Sequence, residues 1–226
     1  MAYTINRNTS LPALRWYTVR VIAGLDACGF SDLVGSWRTQ RDAIATTLAA
    51  HTTDEEQEEI TSARVRVCDA AWDESVASLS KKALFLAGGD DEAAPYSTLF
   101  GTTKAKALQA LGPAKATVAG DALLSKMTAL GLPQLAEEVQ NFGAKNASLR
   151  SAEAADAEAE LKLASHSIDR ARLIRQVETL MAETEAKILM AQPGRIDLVR
   201  TILNPNKTRR ASPKTESNPT NETPEG

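Results

Sequence analysis

Residues 65–89 read VRVCDAAWDESVASLSKKALFLAGG, and the apolar positions within them decide the fold. Val65, Cys68, Trp72, Val76, Leu79, Ala83 and Leu86 step by 3, 4, 4, 3, 4 and 3. That spacing is the seam of a helix packed nearly antiparallel against a neighbour. Gly88-Gly89 ends the run. Upstream, Thr53-Asp54-Glu55-Glu56 has the pattern of a capping box, in which the threonine hydroxyl and Glu56 satisfy each other's first-turn amides. A helix over 54–87 would be about 50 Å long. It needs a partner of similar length to be stable in water.

The preceding segment supplies that partner. Ser31 or Asp32 can cap it, Leu33, Trp37, Ile44 and Leu48 fall at helical spacing, and His51-Thr52-Thr53 reads as a break. The two segments form a first αα-hairpin, hairpin A, over about 31–87. Residues 1–10 are a polar, loose lead-in. Leu11-Pro12 then opens a helix carrying Leu14, Val21, Ile22 and Leu25, which closes at Cys28-Gly29.

Downstream, 88–131 is an irregular connector. It holds a helical turn near Pro95–Gly101 that buries Tyr96, Leu99 and Phe100. A helix from Thr102 or Thr103 to Leu111 follows, then another from Ala114 to Leu130 that Gly120 weakens. Leu132-Pro133 opens hairpin B, about 132–191. Its first face carries Leu135, Val139, Phe142, Asn146 and Leu149. Its returning face carries Ile174, Val177, Met181, Thr184, Ile188 and Ala191. Between them lies SAEAADAEAEL, 151–161. Either the chain turns near 150–156, or it continues as a single very long helix. Pro193-Gly194 breaks hairpin B, and a short helix over 195–203 completes the domain.

The expected fold is therefore all-α: one helical domain over 11–203, a bundle of four long antiparallel helices with additional shorter ones. Alanine, the best helix former, supplies about one residue in six, and aromatics are only 4%, which argues against an all-β fold. The two hairpins align at an offset near 102, with Gly29-Phe30 on Gly131-Leu132, Leu33 on Leu135 and Trp37 on Val139. Leu99-Phe100-Gly101 falls on Ile202-Leu203-Asn204 at an offset of 103. A duplicated αα-hairpin explains this; so does the general likeness of any two amphipathic hairpins. Residues 204–226 hold four of the nine prolines and almost no apolar side chain. They are expected to be a disordered tail whose removal leaves the melting temperature unchanged.

The stretch Leu130-Gly131-Leu132-Pro133-Gln134-Leu135-Ala136-Glu137-Glu138-Val139, continuing through Phe142 and Asn146 to Arg150, resembles a family of uncharacterised all-helical bacterial proteins built of paired helical hairpins. The resemblance implies that same architecture. It brings no activity and no site residues.

Several chemistries are refused. Net charge is −3, without the basic excess that phosphate contacts require, so a nucleic-acid partner is disfavoured. A di-iron bundle needs Glu-x-x-His, but Leu48 and Leu163 stand three residues before His51 and His166. Cys28, His51, Cys68 and His166 are scattered in sequence, so no metal site is expected. Both histidines read as surface or half-buried residues near helix ends. Asp90-Asp91-Glu92 lacks the spacing of a calcium loop, and no phosphate-binding Gly-rich loop or serine elbow is present. Trp37 and Trp72 read as core residues. The acidic runs at 54–59 and 153–160 read as solvated faces.

No apolar run approaches the roughly 20 residues of a membrane helix, and the N-terminus does not read as a secretory signal. A cytoplasmic protein with reduced thiols is expected. With no catalytic constellation and no cofactor expected, the leading reading is a non-enzymatic helical interaction or assembly protein. It would act on a protein partner or a second copy through its helix faces and flexible tail. The alternative is a small-ligand binder or enzyme with a site near 88–113. A weaker alternative is nucleic-acid association through the basic tail residues Lys207, Arg209, Arg210 and Lys214.

Overall fold

Glycine sets the ends of the helices. The structure, a computed structural model, describes residues 5–204 apart from residue 102. Every positive-φ residue found is a glycine, among them Gly29, Gly88, Gly131 and Gly194. At Gly29 (φ 80°) the Phe30 N–H donates to the Leu25 carbonyl at 2.9 Å, and the Gly29 N–H to the Asp26 carbonyl at 3.1 Å. This left-handed closure satisfies carbonyls that the helix end would otherwise leave bare. Gly88 and Gly89 repeat it on Phe85 and Leu84.

The resulting order is α1 (Leu11–Ala27), α2 (Ser31–Leu86), α3 (Tyr96–Phe100), α4 (Ala105–Gln109), α5 (Pro113–Leu130), a 3-10 turn (Pro133–Leu135), α6 (Ala136–Ala191) and α7 (Ile196–Leu203). No strand occurs among the described residues. Residues 1–4 of the lead-in and 205–226 of the expected tail lie outside them, including Lys207, Arg209, Arg210 and Lys214.

Four long helices were expected where the described residues form two, because neither expected hairpin turns. α2 and α6 are each one continuous helix of 56 residues. Neither His51-Thr52-Thr53 nor 150–156 contains glycine or proline, the residues that end helices elsewhere in this chain. The Thr53 hydroxyl does not cap; it donates back to the Ala49 carbonyl at 3.1 Å and is satisfied inside the helix. The Ala/Glu-rich stretch 151–160 has among the highest helix propensities available. Of the two readings open for that stretch, the single very long helix is the one observed. The recurring series is accordingly not a hairpin. It is a helix of 17 or 18 residues, a glycine turn, a helix of 56 residues, and a short helix after a further glycine.

The chain divides into two compact units. One is built from residues up to Leu48 and from Asp169 onward, the other from Ala49–Ile168. In the first, α1, α7 and segments of α2 and α6 bury Leu14, Val21, Leu25, Trp37, Ile44, Val177, Ile188 and Ile202. The Trp37 indole N–H donates to Thr184 Oγ1 at 2.9 Å. The lead-in is partly tied down, since the Ile5 N–H donates to Glu178 Oε1 at 3.1 Å.

In the second unit, α3, α4, α5 and the other segments of α2 and α6 bury Trp72, Val76, Leu79, Leu99, Phe100, Leu123, Met127, Leu135 and Phe142. The Trp72 indole N–H donates to Asn146 Oδ1 at 3.1 Å. Asn146 Nδ2 in turn donates to Asp121 Oδ1 at 2.9 Å. Gly120 makes this possible. A Cβ there would sit 2.1 Å from Asn146 Oδ1.

Candidate functional site

Within the Ala49–Ile168 unit, the pairings of α2 with α6 run in opposite directions. Lys82 reaches Glu138, Trp72 reaches Asn146, Thr61 reaches Asp156, and His51 lies against His166. Heptad steps carry the seam along α6 through Leu149, Ala152, Asp156, Ala159, Leu163 and His166. Large apolar side chains are scarce along one stretch of it. The apolar cluster of this unit extends to Val65 on α2 and Leu149 on α6. Beyond those points the buried seam residues are Thr61 and His51 on α2 and Ala152 and Ala159 on α6.

The polar residues of this stretch pair with one another. Thr61 Oγ1 lies 2.9 Å from Asp156 Oδ1 and 2.9 Å from the Glu58 carbonyl, so one hydroxyl proton serves two acceptors. The rings of His51 and His166 stack with centroids 3.5 Å apart and planes 11° from parallel. His166 Nε2 lies 3.2 Å from Asp54 Oδ2. The histidines, expected near helix ends, therefore sit well inside the two longest helices, and His51 is buried.

This geometry limits the chemistry. Parallel stacked rings send their nitrogen lone pairs along nearly parallel planes, so the pair does not converge on one ion as a tetrahedral zinc site requires. Among the described residues, no group of three or more His, Cys, Asp or Glu side chains is placed to hold a metal. Of the residues weighed as ligands that lie in this unit, the fold brings His51 and His166 together. Cys68 Sγ faces Ser148 Oγ at 3.5 Å. What the pair does offer is two imidazole rings in contact, with the Asp54 carboxylate beside His166.

A second polar cluster stands beside the Trp72–Asn146 bond. Arg150 is bonded to Asp121, and this bond, with a smaller contribution from Asn146, holds the Asp121 carboxyl below its ordinary value. Thr117 Oγ1 lies 3.2 Å from Glu153 Oε2. A groove of about 650 Å³ opens next to it, with Val65, Pro113, Arg150, Glu153 and Glu160 in its wall.

The region 88–113 borders a smaller groove of about 330 Å³, lined by Leu86, Ala94, Pro95, Leu130, Leu132 and Gln134. None of these side chains ionises. Asp90-Asp91-Glu92 is an exposed turn in which Asp90 Oδ1 accepts the Glu92 N–H at 2.9 Å.

Sequence reasoning missed the histidine pair because it placed a break at His51. The signal was nonetheless there. With both helices continuous and antiparallel, a register that sets Trp72 against Asn146 also sets His51 against His166. The chain matches no family model, no curated protein and no solved structure.

Proposed function

We propose that this protein is a non-enzymatic assembly protein whose long helices present faces to a second copy of the chain. The observation that carries the reading is a set of large aliphatic side chains left in water at two-turn intervals. On α2, Ile60 and Val67 are 61% and 69% exposed; on α6, Leu161 and Ile168 are 74% and 68% exposed. Seven-residue spacing puts each pair on one stripe of its helix. A helix laid along such a stripe withdraws both side chains from water, at about 25 cal/mol per Å². No helix among the described residues is long and apolar enough to cross a membrane, so a membrane-spanning role for these stripes has no support.

Sedimentation equilibrium of the purified chain tests the reading. We expect a dimer or larger assembly that Ile60→Lys with Val67→Lys, or Leu161→Lys with Ile168→Lys, dissociates while the helix content by circular dichroism is kept. A monomer at all concentrations in the wild-type chain contradicts it. The groove at Leu86, Pro95 and Leu132 supports a second reading, binding of a small apolar ligand. A thermal-shift screen whose hits lose effect in Leu132→Glu would favour it.

A further inference from the structure

We infer that the cavity where the lead-in crosses α6 is a binding site for a small organic carboxylate, held between Arg7 and Arg175. Ala171, Ile174, Arg175 and Glu178 recur at three- and four-residue steps, so they share one face of α6. The lead-in is fastened to that face. The Ile5 N–H donates to Glu178 Oε1 at 3.1 Å, and the Ile5 side chain packs against the core. A tight turn follows. The Asn8 N–H donates to Asn6 Oδ1 at 2.9 Å, and the Thr9 N–H donates to the Asn6 carbonyl at 2.9 Å. Arg7 stands inside this turn. A cavity of about 420 Å³ is left, with Arg7, Ala171, Ile174, Arg175 and Glu178 in its wall.

Single exposed arginines are ordinary on a helical surface. Here two of them, one from the lead-in and one from α6, meet at the same cavity. Among the described residues neither guanidinium has a hydrogen bond or an ion pair. The Glu178 carboxylate already accepts the Ile5 N–H. Two guanidinium groups against this carboxylate leave one positive charge unmatched, which suits a monoanion.

The rest of the wall says what the anion is attached to. Ile174 is buried and Ala171 half-buried, and both present methyl groups rather than donors. A carboxylate fits the planar fork of a guanidinium, and an apolar body fits Ile174 and Ala171. The volume lies within the roughly 300–1,000 Å³ of small-molecule sites. A dianion such as phosphate would meet the Glu178 carboxylate and leave the methyl groups uncovered. The inference does not rest on self-association, and the cavity is distinct from the groove at Leu86, Pro95 and Leu132.

Isothermal titration calorimetry of the full chain with 4-phenylbutyrate tests it. The neutral analogue 4-phenylbutanamide removes the charge, and inorganic phosphate removes the apolar body. We expect saturable binding of 4-phenylbutyrate and at least tenfold weaker binding of the other two. Arg7→Gln and Arg175→Gln should each weaken 4-phenylbutyrate about tenfold, the loss expected for one charge-assisted pair. Both side chains are exposed, so the helix content by circular dichroism should be kept. In amide NMR spectra the ligand should shift residues 5–8 and 171–178. Absence of saturable binding overturns the inference. So does equal binding of the amide or of phosphate, unchanged affinity in either arginine variant, or shifts centred on Leu86, Pro95 and Leu132.

Discussion

Trp72 shows how one side chain fixes several others. It is fully buried, packs against Phe142 with ring centroids 5.7 Å apart, and hands its N–H to Asn146. Trp72→Ala should cost about 3–5 kcal/mol by denaturant melts, the usual loss for a large aromatic cut from a core. Gly120→Ala should destabilise by about 1–3 kcal/mol through overpacking against Asn146, although alanine is the better helix former by about 1 kcal/mol. Combined with Asn146→Ala, its cost should fall below the sum of the two single changes. Asp69 is a different case. Burial raises its carboxyl above the ordinary value, Oδ1 has no hydrogen-bond partner, and Asp73 one turn on is raised by its own burial and, to a smaller degree, by the Asp69 charge. A raised folded-state value means that stability is fullest below the ordinary aspartate range and is lost as pH rises through the folded value. Asp69→Asn should therefore gain about 0.3 kcal/mol at pH 7 from relief of the like-charge pair. The gain should vanish in melts taken below the carboxylate range.

At the scale of the element, helix continuity is what the sequence conveyed least well. Thr53 lies inside α2 and donates to the Ala49 carbonyl. Thr53→Pro should cost about 3 kcal/mol or more, because proline removes a backbone donor and clashes with the preceding turn. A turn at this point would tolerate it, and thermal melts distinguish the two. The helix ends were legible, since Gly29, Gly88 and Gly131 mark them by a conformation that other residues avoid. The seams through Trp37, Trp72, Phe142 and Val177 were legible from their spacing as well. The central stretch was not. Polar seam residues such as His51, Thr61 and Asp156 carry no hydrophobic period, so a helix that changes from an apolar seam to a polar one looks like a helix that stops. The histidine pair was hidden for the same reason. Its members are more than a hundred residues apart, and only continuous helices bring them into one register.

At the scale of the whole molecule, a helix–glycine–long helix–glycine–short helix series occurs twice. Buried Val21, Leu25 and Leu33 recur as buried Leu123, Met127 and Leu135, each 102 positions on. This topology makes α2 and α6 the partners of each other rather than each folding back on itself, and the candidate site depends on it. Disulfide trapping tests that dependence directly. In a chain with Cys28 and Cys68 replaced by serine, cysteines introduced as Thr61→Cys and Asp156→Cys should join under mild oxidation. The two native side chains already touch at 2.9 Å. A disulfide between Ile44→Cys and Thr61→Cys, with none between 61 and 156, would mean that the chain turns back at His51 and would contradict the account.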